Sequence, residues 1–161
     1  MPGSVAGSGL PAMIGQTNKQ GEVAMFEPVK APRHLWIVGI IAVLWNAIGA
    51  FDYSATQLRL EAYMSQFTPE QLAYFYGFPT WAVATWAIAV WSALLGSISL
   101  LLRKRWAVWL FGISLVGMAL TALYNFVLTD GAALMGSGAV TFTAVIWFIA
   151  ISLFVYSRAM A

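Results

Sequence analysis

Apolar residues fill four stretches of the chain, near 35–51, 78–102, 106–128 and 139–156, and most charged residues lie between or beyond them. Helical residues rise about 1.5 Å each and a hydrocarbon core is about 30 Å thick, so a crossing needs about 20 residues. The first stretch, about 17 residues, reaches that length when it continues to Tyr53. The second and third, about 25 and 23 residues, would cross with tilt or a protruding turn, and the fourth is near the lower limit. The pattern predicts an all-α integral membrane protein. Its four-transmembrane-helix bundle would have helices at about 35–53, 78–102, 106–128 and 139–156, within a domain covering 34–158.

The connection between the first two stretches, about 25 residues from Asp52 to Gly77, is long for a bundle hairpin and predicts structure of its own. Thr68, Pro69, Glu70 and Gln71 have the order of an N-cap, a first-turn proline and a reciprocating glutamine, so a short helix should begin there. Its aromatic continuation through Tyr74, Phe75 and Tyr76 suits the headgroup level. Upstream, Leu60, Tyr63, Met64 and Phe67 form one apolar side of 54–67, which reads as an amphipathic helix. Together 54–76 is predicted to be an amphipathic helical periplasmic loop, with a kink at Gly77 and Pro79. The second such connection, 129–138, holds Asp130 and three glycines and predicts a tight turn with partial helix at 132–135.

Charge then fixes the expected orientation. Arg103, Lys104 and Arg105 separate the second and third stretches, Lys30 and Arg33 precede the first, and Arg158 follows the fourth. With four crossings all of them fall on one side, and positive charge in short loops marks the cytoplasmic side. Asp52, Arg59, Glu61, Glu70 and Asp130 fall on the other. Both termini are therefore predicted in the cytoplasm of a multi-pass bacterial inner-membrane protein. Residues 1–33, rich in Gly, Pro and Ser, read as a flexible cytoplasmic tail rather than a signal peptide.

Composition agrees with this class. Of 161 residues, 61% are hydrophobic and 9% charged, where a soluble domain would carry roughly a quarter charged. The net charge of +2 arises from eight Lys and Arg with no basic patch beyond the membrane edge, so nucleic acid is not an expected partner. The chain has no Cys, which excludes disulfides, thiol redox chemistry and thiolate metal sites.

In lipid, small residues that let backbones approach mark helix contacts. Such stripes run through Gly39, Ala42, Asn46, Gly49 or Ala50 and Tyr53; through Thr85, Ala89, Ser92, Gly96 and Ser99; and through Ser114, Gly117, Thr121 and Asn125. The fourth helix has a lesser small face at Ser137, Thr141 and Ala144. Asn46 and Asn125 most need partners, because an amide alone in hydrocarbon costs several kcal/mol. Trp45-Asn46 followed by Asp52, and Tyr124-Asn125 followed by Asp130, hint at a weak parallel repeat of two hairpins. The two amides either bond between helices or line a polar pocket with Thr121, Tyr124 and Tyr53.

Reactive groups are few. The single histidine, His34, lies at the predicted cytoplasmic edge, so a haem held by two histidines is excluded and no zinc site is expected. Asp52 and Asp130 flank helix ends and offer no midplane proton relay. No catalytic residue is assigned; enzyme chemistry would have to use the loop carboxylates Asp52, Glu61, Glu70 and Asp130. No cofactor is expected, although the eight tryptophans make an aromatic surface that lipid, quinone, carotenoid or another membrane subunit could occupy.

The run from His34 through Trp45-Asn46 to Asp52-Tyr53, with Gln66-Phe-Thr-Pro-Glu-Gln71, Gly77-Phe-Pro79, Trp81-Ala-Val and Tyr124-Asn125-Phe, resembles a group of small four-helix inner-membrane proteins of Gram-negative bacteria. Some members carry a loose sugar-transporter label. The resemblance covers about 34–156; it implies the fold and location and brings no binding or catalytic residues with it. The function expected is that of a non-catalytic accessory or scaffold subunit of a larger assembly. Its partners would be the phospholipid bilayer and another integral membrane protein or a second copy of itself. The alternatives are a small-solute or lipid binder or transporter using a pocket near Asn46 and Asn125, and an enzyme acting at the outer bilayer surface.

Overall fold

A computed structural model describes residues 33–160. The tail read at 1–33, Lys30 included, lies outside the described residues except for Arg33. Six α-helices occur among the described residues, without strands: α1 (Arg33–Gln57), α2 (Glu61–Met64), α3 (Pro69–Tyr76), α4 (Thr80–Leu101), α5 (Trp106–Leu123) and α6 (Gly131–Met160). A π-helical segment, Tyr124–Leu128, continues α5. Four of these units, α1, α4, α5 with its π extension, and α6, are long and apolar enough to cross a membrane. The fold is all-α, with four candidate spans.

Contacts along the helices set their directions. Gly39 of α1 packs on Leu101 of α4, Asn46 on Ser97, and Tyr53 on Trp86, so α1 and α4 are antiparallel. Gly96 packs on Phe111, Ala89 on Ser114 and Thr85 on Thr121, so α4 and α5 are antiparallel too. The end of α6 returns to the start of α1, where Tyr156 meets His34. Arg33, the turn at 103–105 and Arg158 therefore share one end of the bundle, here the basic end. The connection from α1 to α4 occupies the opposite, loop end.

The closest packing lies between α4 and α5, with α1 on the other side of α4. Gly117 allows it. A Cβ there would lie 2.9 Å from both the Ala89 amide nitrogen and the Thr85 carbonyl oxygen, closer than real Cβ atoms come to backbone. One turn away the Ser114 hydroxyl donates to the Ala89 carbonyl at 2.7 Å. Of the small-residue stripes, Gly39, Ala42 and Ala50 on α1, Ala89, Ser92 and Gly96 on α4, and Ser114 and Gly117 on α5 are buried. On α6 the small face at Ser137, Thr141 and Ala144 is exposed instead, and the helix packs on α5 mainly through its basic-end half, where Leu153 and Ser157 are buried.

The loop end departs from the expected outline. Residues 54–67 do not form one amphipathic helix: α1 runs on to Gln57 and α2 is a single turn. The break is a six-residue turn in which the Leu60 amide bonds back to the Ala55 carbonyl at 2.9 Å, with Arg59 in the left-handed region (φ 52°). An identical closure ends α4, where Lys104 bonds to Ser99 at 2.8 Å around Arg103 (φ 56°). Glycine usually fills this position, and another residue costs about 1–2 kcal/mol there. At Arg59 the guanidinium lies 4.2 Å from the Tyr76 ring centroid, a contact that offsets part of that cost. Thr68 and Gln71 start α3 with a reciprocal capping box, at 3.1 and 3.3 Å. The fourth span starts earlier than 139: helix begins at Gly131 and is broken at Gly136, whose φ of 80° and ψ of 174° suit glycine alone.

Candidate functional site

Tyr74 of α3 gathers the polar groups of the loop end. Its hydroxyl donates to Asn125 Oδ1 at 2.6 Å and lies 2.9 Å from Thr129 Oγ1. The Asn125 amide donates in turn to the Thr121 carbonyl at 3.0 Å, and Thr121 Oγ1 is 3.2 Å from Thr85 Oγ1. Thr129 donates back to the Tyr124 carbonyl at 2.8 Å. Tyr124, Asn125 and Thr129 are carried on or just after the π-helical segment, a widened turn that shifts which side chains face a neighbour. The chain of bonds thus joins α3, α4 and the end of α5.

Aromatic rings surround this cluster. Tyr124 stacks with Tyr74 at 6.3 Å and meets Phe78 edge-on at 4.8 Å and Trp81 at 5.6 Å. Phe78 also reaches Trp86, which receives Tyr53 edge-on at 5.1 Å. Such pairs add about 0.5–1.5 kcal/mol each beyond burial. The loop is consequently held against the ends of α1, α4 and α5 by rings and hydrogen bonds together.

Of the five residues expected around a pocket, Thr121, Tyr124 and Asn125 come together here, while Tyr53 joins only through Trp86. Asn46 is bonded elsewhere. Its amide donates to the Ala42 carbonyl and to Ser97 Oγ, both at 2.9 Å, and the Ser97 hydroxyl donates in turn to the Ala93 carbonyl. This is an interhelical bond between α1 and α4, of a kind worth about 0.6 kcal/mol on average. Among the described residues no buried side-chain nitrogen or oxygen lacks a partner. The clustered polar groups are thus engaged with one another. Sequence reasoning missed Tyr74, Thr129 and Ser97 as partners; Ser97 lies 51 residues from Asn46, and no local pattern connects them.

The loop-end acids are scattered. Asp52 accepts the Tyr63 hydroxyl at 2.5 Å, whereas Glu61, Glu70 and Asp130 are exposed. Among the described residues no three His, Cys, Asp or Glu side chains group closely enough to hold a metal ion. The backbone amide of Glu70, then the Thr68 hydroxyl, hold the Glu70 carboxylate below its ordinary range. Burial raises the Tyr74 phenol; the bond to Thr129 opposes this and neighbouring Tyr124 adds to it.

Tyr63 is pushed up to about 12, first by burial, then by its bond to Asp52 and by that carboxylate's charge. Its ionisation should therefore come well above pH 10, where a tyrosine in unfolded chain loses its proton. The folded-state value is the higher one, so the stability this phenol contributes is complete below about pH 10 and disappears as pH rises through about 12. The difference in phenolate absorbance between the native protein and Tyr63→Phe, followed against pH, should show a late step; a step near 10 would contradict the bond to Asp52.

At the basic end, His34 Nδ1 lies 2.7 Å from the Tyr156 hydroxyl, tying α1 to α6, and the Arg158 guanidinium lies 5.9 Å from the Phe154 ring. Arg33, Arg103, Lys104 and Arg105 are exposed around them.

Comparison with known proteins finds no family model, no curated protein and no solved structure that matches the chain. The motif resemblance noted above gains no support from these comparisons. What stands is a small, highly helical chain with four long apolar helices, of the multi-pass membrane type.

Proposed function

We propose that the chain is a non-catalytic accessory or scaffold subunit of a larger protein assembly in a bacterial inner membrane. Arg33, the 103–105 turn and Arg158 would face the cytoplasm and the loop end the periplasm, as the charge rule directs. This is the setting of the small four-helix proteins whose motifs the sequence resembles.

The observation that carries the reading is the state of α6. Only 6% of its most apolar window is buried, against 22–28% for the other three spans. Its exposed residues include Thr141, Val145, Phe148, Ser152 and Val155, spaced four, three, four and three apart. A helix packing knobs into holes on a partner would present residues at that spacing. The two hydroxyls on the stripe, Thr141 and Ser152, bond back to Ser137 and Phe148 of their own helix, and these small side chains leave room for a neighbouring backbone to approach. No comparable observation favours a solute pocket near Asn46 and Asn125, whose amides are engaged at separate places in the bundle.

A photoreactive residue placed at Val145, Phe148 or Ser152 in cells tests this. All three should give adducts with the same second membrane protein, while Ile41, exposed on α1, gives lipid adducts. Lipid adducts alone at the α6 positions, or adducts only to another copy of this chain, would remove the scaffold reading.

A further inference from the structure

Beside the α4/α5 contact, α6 leaves an apolar trough of about 550 Å³, lined among others by Ile88, Trp109, Gly112, Val116, Phe154 and Arg158. Its walls on α5 extend from Val108 to Leu120, about 18 Å of helix, slightly more than one leaflet's share of a 30 Å hydrocarbon core. The charged member of the lining is Arg158, at the basic end of the bundle. Trp109, exposed one turn into α5, is at a depth that suits an aromatic anchor beside lipid headgroups.

We infer that this trough is a binding site for one anionic glycerophospholipid, with an acyl chain along α5 and the phosphate on the Arg158 guanidinium. The length matches one chain in one leaflet, and the planar guanidinium offers two parallel N–H donors to phosphate oxygens. The Phe154 ring under Arg158 holds that fork near the mouth. Gly112 forms part of the floor: a Cβ there meets the Phe154 ring at 3.6 Å, an ordinary contact, and a longer side chain would extend into the space meant for lipid.

The test is retention of phosphatidylglycerol against phosphatidylcholine by the purified full chain, read by native mass spectrometry. One phosphatidylglycerol per chain should survive delipidation, and phosphatidylcholine, whose choline cation offsets the charge of its phosphate, should be retained less. Arg158→Gln should reduce retention by about fivefold, the share of one basic group near a lipid surface, and Arg158→Lys should restore part of it. Gly112→Leu should abolish retention while leaving helix content unchanged. Unchanged retention in Arg158→Gln, or equal retention of the two lipids, would overturn the proposal, as would displacement by inorganic phosphate alone. A second reading, with Arg158 and Gly112 left in place, uses brominated acyl chains. The part of the emission lost in Trp109→Phe should be quenched more by brominated phosphatidylglycerol than by brominated phosphatidylcholine, and equal quenching would count decisively against the site.

Discussion

Replacing Gly117 by leucine should lower stability by about 3 kcal/mol, the upper range for forcing atoms into a packed contact. The atoms in the way belong to the α4 backbone, at Ala89 and Thr85, which cannot rotate aside as a side chain would. Separating the helices also stretches the Ser114 to Ala89 and Thr85 to Thr121 bonds, which depend on the same approach. Gly49→Leu is the matched control, because a Cβ at Gly49 meets nothing within 4 Å. Unfolding in mixed micelles, followed by helical circular dichroism, should show a large loss for the first and almost none for the second. Equal losses would mean that α4 and α5 do not meet at Gly117.

The second large effect is expected from Tyr74→Phe, which deletes one oxygen and changes no shape. Asn125 Oδ1 then loses its donor in a half-buried position, a change worth about 1–3 kcal/mol. The loss should be local: amide exchange should quicken in α3 and in the π-helical segment and hardly change where α4 meets α5. Asn125→Leu removes the acceptor, and the double variant should cost less than the two single changes added, by about 1 kcal/mol. Strict additivity would show that Tyr74 and Asn125 do not bond.

These two sites also mark what could and could not be read from residue order. The approach at Gly117 was visible as a period of small residues, because in lipid close packing selects for size rather than polarity. Thr68-Pro-Glu-Gln71 announced the start of α3 because all its partners lie within one turn. The end of α1 gave no such signal, since its left-handed position holds Arg59 in place of glycine, whereas α4 stops within a residue of the expected 102, at the basic cluster. The π turn at Tyr124–Leu128 and the bond from Tyr74 to Asn125 depend on packing between distant segments. Helices that are apolar all round carry little pattern to say which face meets which neighbour. The expected grouping of Asn46 with Asn125 reflected their shared need for a partner, and each finds one on a different element.

The arrangement beneath all of this is an even number of crossings that brings the basic segments to one face. The native chain has no Cys, so single cysteines at Gln66, Lys104 and Ala159, all exposed, report sidedness without interference. In intact cells an impermeant maleimide should modify Gln66→Cys at once, and Lys104→Cys and Ala159→Cys only after the inner membrane is opened. Modification of Lys104→Cys and Ala159→Cys from opposite sides would contradict the four-span account.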